Sequence, residues 1–131
     1  MASLLIVDDD RDGRVALCEF LQRQGHRVAG VPGGRAALKS FLAHVPDLLI
    51  LDLLLPDMDG DGLLQAVRSG LKLWSLPVVV LTGLPDGPIA DRARELRVDA
   101  VLTKASATFE DILGAVEDAL HGARASSVGA G

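Results

Sequence analysis

Tyrosine is absent from this chain, and Phe and Trp together make up only 3% of it. The core must therefore be aliphatic, and a platform of rings for stacking bases is not on offer. Cysteine occurs once, as Cys18, which excludes an intrachain disulfide framework and any multi-cysteine metal site. Basic residues are in deficit, 13 against 18 acidic, for a formal net charge of −5. A binder of phosphate backbones wants the opposite sign, so no direct nucleic-acid contact is expected. No apolar run approaches the roughly twenty residues of a membrane span. The first run, Leu4 to Val7, is too short for a signal peptide and ends in carboxylates. These absences point to a reduced, cytoplasmic setting away from the membrane.

What is present is the mix of a globular domain: 131 residues, 49% apolar and 24% charged. Folding at this size buries roughly two-thirds of the unfolded surface. Short apolar runs alternate with helix-like stretches. Leu4 to Val7 precedes a helix over Asp12–Gln24, with Val15, Cys18 and Leu21 on its inner face. A weaker strand, Arg27 to Val31, precedes a helix over Arg35–Val45 with Leu38, Phe41 and Leu42 inward. The strongest strand, Asp47 to Leu53, is followed by a helix over Asp61–Ser69. Val78 to Leu81 is followed by a short helix over Pro88–Arg97, and Ala100 to Thr103 by a last helix over Ala107–His121. Three of the strand runs are continuously apolar, as strands buried on both faces are. The fold class is therefore α/β, a parallel sheet with helices on each side and right-handed crossovers. Residues 3–121 form the one domain, and 122–131 read as a flexible tail or linker stump.

In such a sheet, sites form beyond the carboxyl ends of the strands. The residues found there are Asp8, Asp9 and Asp10, then Asp52, then Thr82 and Gly83, then Lys104. Two carboxylates about 4 Å apart repel by roughly 1 kcal/mol in water and about 4 kcal/mol at an effective dielectric of 20. A cluster of them calls for a hard cation, and Mg²⁺ takes oxygen ligands. Lys104 is a point charge suited to a phosphate, Thr82 offers a hydroxyl, and Gly83 permits close backbone approach. Asp52, at the end of the central run, is placed to attack a phosphoryl group, with the other groups stabilising charge.

These segments resemble the receiver domain of two-component response regulators, the CheY-like superfamily. The resemblance is carried by LLIVDDD (Leu4 to Asp10), LLILDLLLPDMDG (Leu48 to Gly60), VVVLTG (Val78 to Gly83) and VLTK (Val101 to Lys104). The separations of 30 residues from Asp52 to Thr82 and 22 from Thr82 to Lys104 suit it. The resemblance implies a flavodoxin-like (βα)5 three-layer sandwich, doubly wound, with five parallel strands in the order 2-1-3-4-5. It implies phosphorylation of Asp52 by a histidine kinase or histidine phosphotransfer protein. It implies Mg²⁺ on Asp9, Asp52 and the Leu54 backbone carbonyl, with Asp8 acting through water. Thr82 and Lys104 would engage the phosphoryl group, and Asp10 would be peripheral. A downstream effector or fused output domain would read the state, and a homodimer is a further possibility.

Three departures stand out. Val101 occupies the place where family members often carry a switch ring, and Ala105 follows the lysine where proline is usual. Leu54 and Leu84 sit where the residues flanking the hydrolytic water are found, which implies slow self-dephosphorylation. Three other readings stay open at this point. A pseudo-receiver would dock partners without phosphorylation. An aspartyl-nucleophile phosphatase or mutase would usually carry a second Asp at the Leu54 position. A flavin binder would need a phosphate loop after the first strand. Asp57, Asp59, Asp61 and Gly62 imitate half of an EF-hand loop, but Arg68 stands where its bidentate Glu belongs.

Overall fold

The apolar runs become a single sheet in this computed structural model, which describes residues 1–130 and the side-chain surroundings of residues 1–123. Its strands are β1 (Ser3–Val7), β2 (Arg27–Val31), β3 (Leu48–Leu51), β4 (Val78–Thr82) and β5 (Ala100–Thr103). All are parallel, in the order β2-β1-β3-β4-β5. The helices are α1 (Arg11–Arg23), α2 (Gly34–Ala43), α3 (Gly60–Gln65, passing into a π-helical turn at Ala66–Gly70), α4 (Pro88–Glu95) and α5 (Phe109–Ala130). The last helix does not stop at His121, where its apolar periodicity ends; Gly131 lies outside the described residues. Among the described residues, no helix is long and apolar enough to cross a membrane.

Alternation along the buried strands divides the interior into two layers, because successive side chains point to opposite faces. Leu5, Val7, Leu49, Leu51, Val78 and Val80 face α2, α3 and α4. Leu4, Ile6, Leu48, Ile50, Val79 and Leu81 face α1 and α5. The strand order reverses between β1 and β3, whose carboxyl ends carry Asp8 and Asp52. That is where a doubly wound sheet opens a crevice.

The helix faces depart from the expected ones. On α1 the buried pair is Leu17 and Leu21, with Cys18 half-buried and Val15 40% exposed. On α2 it is Ala37 and Phe41, while Leu42 is 79% exposed. Ala37 is fully buried and Leu38 only partly, so a methyl fills the place that spacing alone would give to a leucine.

Two carboxylates of the acidic stretch after β3, Asp57 and Asp61, have structural work. Asp57 accepts the backbone N–H groups of Gly34 and Arg35, both at 2.9 Å. It thereby caps α2, whose own N-cap residue, Gly33, has no side chain to offer. These two bonds lower the Asp57 pKa from its ordinary 3.8. Asp61 is buried and pairs with Arg92 of α4 at 3.4 Å. The carboxylates of Asp57 and Asp61 are thus engaged in a helix cap and an ion pair. Asp57→Ala is expected to lower the melting midpoint at neutral pH. A depressed carboxylate pKa stabilises the fold above the unfolded value and ceases to do so as pH falls through the folded one. The gap between wild type and variant, followed by thermal melts, should therefore close in acid below about pH 4.

Gly60 begins α3 directly over the end of β3. A Cβ there would lie 2.5 Å from Leu53 Cα and 2.8 Å from the Asp52 carbonyl oxygen. Only glycine allows this approach, and it brings the loop from Leu53 to Asp59 back over the strand end. Arg68, in the π-helical turn, is only 1% exposed. Its Nε donates to the Leu96 carbonyl, Nη1 to those of Leu73 and Leu76, and Nη2 to that of Arg97.

Candidate functional site

β1 ends at Val7, and the chain turns at once into α1. The Asp8 N–H still donates to the Val31 carbonyl at 3.1 Å, which extends the ladder to β2 by one rung. The Asp8 side chain turns inward and accepts the Asp10 N–H at 3.0 Å. Asp52 follows β3 in the same way. Its N–H donates to the Val7 carbonyl at 2.9 Å, and its carboxylate accepts the Leu54 N–H at 3.1 Å. Asp8 and Asp52 are 7% and 5% exposed, whereas Asp9 is exposed. Carboxylate oxygens of Asp8, Asp9 and Asp52 all lie within 4.8 Å of one another.

The cation comes from β5. Lys104 donates its N–H to the Thr82 carbonyl at 2.9 Å, so the β4–β5 register carries it past the strand end. Its Nζ lies 2.8 Å from Asp8 and 2.9 Å from Asp52. Burial disfavours the ammonium, but the hydrogen bonds to Asp8 and Asp52 and their negative charge outweigh it, and the Lys104 pKa is raised. One ammonium thus serves two buried carboxylates, with a third carboxylate alongside. The surplus of hard oxygen donors at one point is what a divalent cation such as Mg²⁺ requires.

Thr82, at the end of β4, is fully buried, and its hydroxyl accepts the Leu84 N–H at 3.2 Å. Gly83 faces open space, with nothing within 4 Å of the position a Cβ would take, so no protein contact demands glycine there. Leu54 and Leu84 are 41% and 53% exposed, and the Leu54–Asp59 bridge closes the loop behind the first of them. Asp10 is exposed and off the cluster. Val101 is half-buried and packs against the α2–α3–α4 side of the core. The Lys104–Ala105 peptide is trans. The four strand-end residues read from the sequence as acid, acceptor, hydroxyl and cation are thus brought to one end of the sheet. Two supporting groups escaped the sequence reading: Asp57, treated only as part of a calcium-like loop, and Arg14, whose Nη1 donates to the Asp8 carbonyl at 2.7 Å. The available signal for Arg14 was Gly30, a glycine inside a strand, which marks close approach by another group.

Comparison with known proteins agrees with this geometry. The family described as "Response regulator receiver domain" matches residues 4–117. Transcriptional regulatory protein AfsQ1 of Streptomyces coelicolor is 36% identical over 121 residues, covering 79% of this chain and 52% of its own. Transcriptional regulatory protein GltR of Pseudomonas aeruginosa is 37% identical over 98 residues, covering 75% of this chain and 40% of its own. The chain thus spans about half or less of the length of these curated relatives. Among solved structures, the signal receiver domain of a signal transduction histidine kinase from Syntrophus aciditrophicus superposes with a TM-score of 0.83 at 30% identity, over 93% of this chain and 92% of that one. A CheY-like receiver domain protein from Methanospirillum hungatei has a TM-score of 0.90 over 96% of this chain and 98% of that one; at 21% identity it speaks for the fold.

Proposed function

This chain belongs to the response regulator receiver domains, and from that membership we propose that Asp52 is its phosphoryl acceptor. A carboxylate oxygen of Asp52 attacks the phosphorus of a phosphohistidine on a histidine kinase or phosphotransfer protein. A P–O bond forms as the P–N bond breaks, and the donor imidazole departs. The observation that carries this reading is the meeting of Lys104 Nζ with two buried carboxylates at 2.8 and 2.9 Å, beside a third.

Asp9 and Asp52, the Leu54 backbone carbonyl and Asp8 through water would hold Mg²⁺, which when bound offsets negative charge on the transferring group. Lys104 is already charged and in place, and needs only to exchange a carboxylate for a phosphoryl oxygen. Thr82 can turn its hydroxyl from the Leu84 N–H toward the same group. A downstream effector, a fused output domain or a second copy of the chain would then read the change.

The test is mass spectrometry after incubation with Mg²⁺ and a small acyl phosphate. One phosphoryl group should be gained by the wild type and none by Asp52→Asn. No gain from any donor would favour a docking module that works without phosphorylation, a reading to which Val101 and Ala105 lend weight. Steady release of phosphate would favour a hydrolytic enzyme.

The apolar pair at the mouth, Leu54 and Leu84, gives attacking water no acceptor. The phosphoryl group should therefore last minutes to hours at room temperature. Leu54→Asn should shorten its life by roughly three- to tenfold, short of the hundredfold or more that a positioned general base supplies. Loss within seconds in the wild type, unchanged by the substitution, would defeat this expectation.

A further inference from the structure

We propose that Arg14 is a positioning residue for the acidic pocket, acting through the peptide bond between Asp8 and Asp9; this rests on the reading of that pocket as a Mg²⁺ and phosphoryl site. Buried backbone carbonyls need partners. The Asp8 carbonyl lies just past the end of β1, and Arg14 Nη1 supplies the hydrogen bond at 2.7 Å. The N–H side of Asp8 is held as well, by Val31 of β2 at 3.1 Å.

The carbonyl of Asp8 and the nitrogen of Asp9 belong to one planar unit. Holding the carbonyl therefore fixes the plane from which Asp9 departs. Asp8 and Asp52 are buried and shared by Lys104, whereas Asp9 is exposed, so its direction depends more heavily on its backbone. Arg14 reaches this point from the first turns of α1, its stem lying across β2. Gly30 makes the bed for that stem: a Cβ at Gly30 would sit 3.0 Å from both Cγ and Cδ of Arg14. Gly30 pairs with Ile6 in the β1–β2 ladder, two residues short of Asp8. The missing side chain on β2, the arginine on α1 and the pose of Asp9 are thus parts of one arrangement.

Arg14 also carries a positive charge, which by itself opposes a cation in the pocket. Its hold and its field therefore push Mg²⁺ affinity in opposite directions, and salt separates them. At about 0.5 M KCl the Debye length is only roughly 4 Å, and the field of a solvated charge is largely screened. Calorimetric titration of Mg²⁺ into the whole chain under these conditions should show binding weakened about tenfold in Arg14→Met. Gly30→Val, which keeps the charge but crowds the stem and the neighbouring Cys18 thiol, should weaken it comparably, and Arg14→Lys should recover part of the loss. Melting midpoints are recorded alongside. Unchanged affinity in Arg14→Met with a lower midpoint means that the bond is structural only, and the proposal falls. Tighter binding at low salt that disappears at high salt means that Arg14 is a bare charge, and the proposal falls equally. If the wild type shows no Mg²⁺ binding that Asp52→Asn abolishes, the reading of the pocket fails first and takes this inference with it.

Discussion

Arg68→Met should cost about 3–5 kcal/mol of folding stability, as several buried carbonyls lose a charged donor at roughly 1–3 kcal/mol each. The guanidinium binds four carbonyls, those of Leu73, Leu76, Leu96 and Arg97, from the two loops that enter β4 and β5. Methionine fills much of the same space but leaves the carbonyls of Leu76, Leu96 and Arg97 without this donor, and that of Leu73 with only the long 3.4 Å bond from the Leu76 N–H; an orphaned buried acceptor forfeits its hydration. For a domain of this length the melting midpoint should drop by roughly 10–20 °C. Arg68→Lys should recover less than half of the loss, because three N–H groups on one atom cannot span carbonyls on both sides of a planar fork. Urea denaturation gives the free energies. A loss under about 1 kcal/mol would mean that the loops find other donors or water.

The second large effect belongs to Lys104. Lys104→Ala leaves Asp8 and Asp52 buried with no cation between them and Asp9 close by. The expected cost without divalent metal is about 2–3 kcal/mol, the upper range for hydrogen bonds to charged groups. Millimolar Mg²⁺ should return much of it in the variant and far less in the wild type, because a ligand of the folded state stabilises it by mass action. The pH dependence has a definite sign. A lysine whose pKa is raised on folding stabilises the fold fully below its unfolded value and loses that contribution as pH climbs through the folded one. The difference between wild type and variant should therefore persist across neutral pH and shrink above about pH 10.4. A variant as stable as wild type in chelator, or indifferent to Mg²⁺, would show that the carboxylates do not need a cation.

The buried strands were legible, with ends to within two residues, because burial on both faces leaves an uninterrupted apolar signature. The expected strands Asp47–Leu53 and Val78–Leu81 stand as Leu48–Leu51 and Val78–Thr82, and the polar residue that closes each run, Asp52 or Thr82, marks the site's edge. Helix phase was less legible. Spacings of three and four fit two neighbouring rows equally well, so Val15 and Leu42 competed with Leu17 and Ala37, and only burial in the fold decides. Arg68 was opaque for a different reason. Its acceptors are backbone carbonyls, which every residue has, and they lie between 5 and 29 residues away along the chain. The acidic stretch from Asp57 to Asp61 misled by composition: one carboxylate caps a helix and another meets an arginine.

The hydroxyl oxygen of Thr82 accepts the amide hydrogen of Leu84, a bond that favours the present side-chain rotamer. To turn away from that amide it must surrender an interaction worth about 1 kcal/mol, roughly a fivefold handicap in population. With a small aliphatic side chain at Val101, no ring rotation adds to the sum. On the proposed reading, one amide would weigh the unphosphorylated state, and a phosphoryl group on Asp52 would have to offer Thr82 more than that bond.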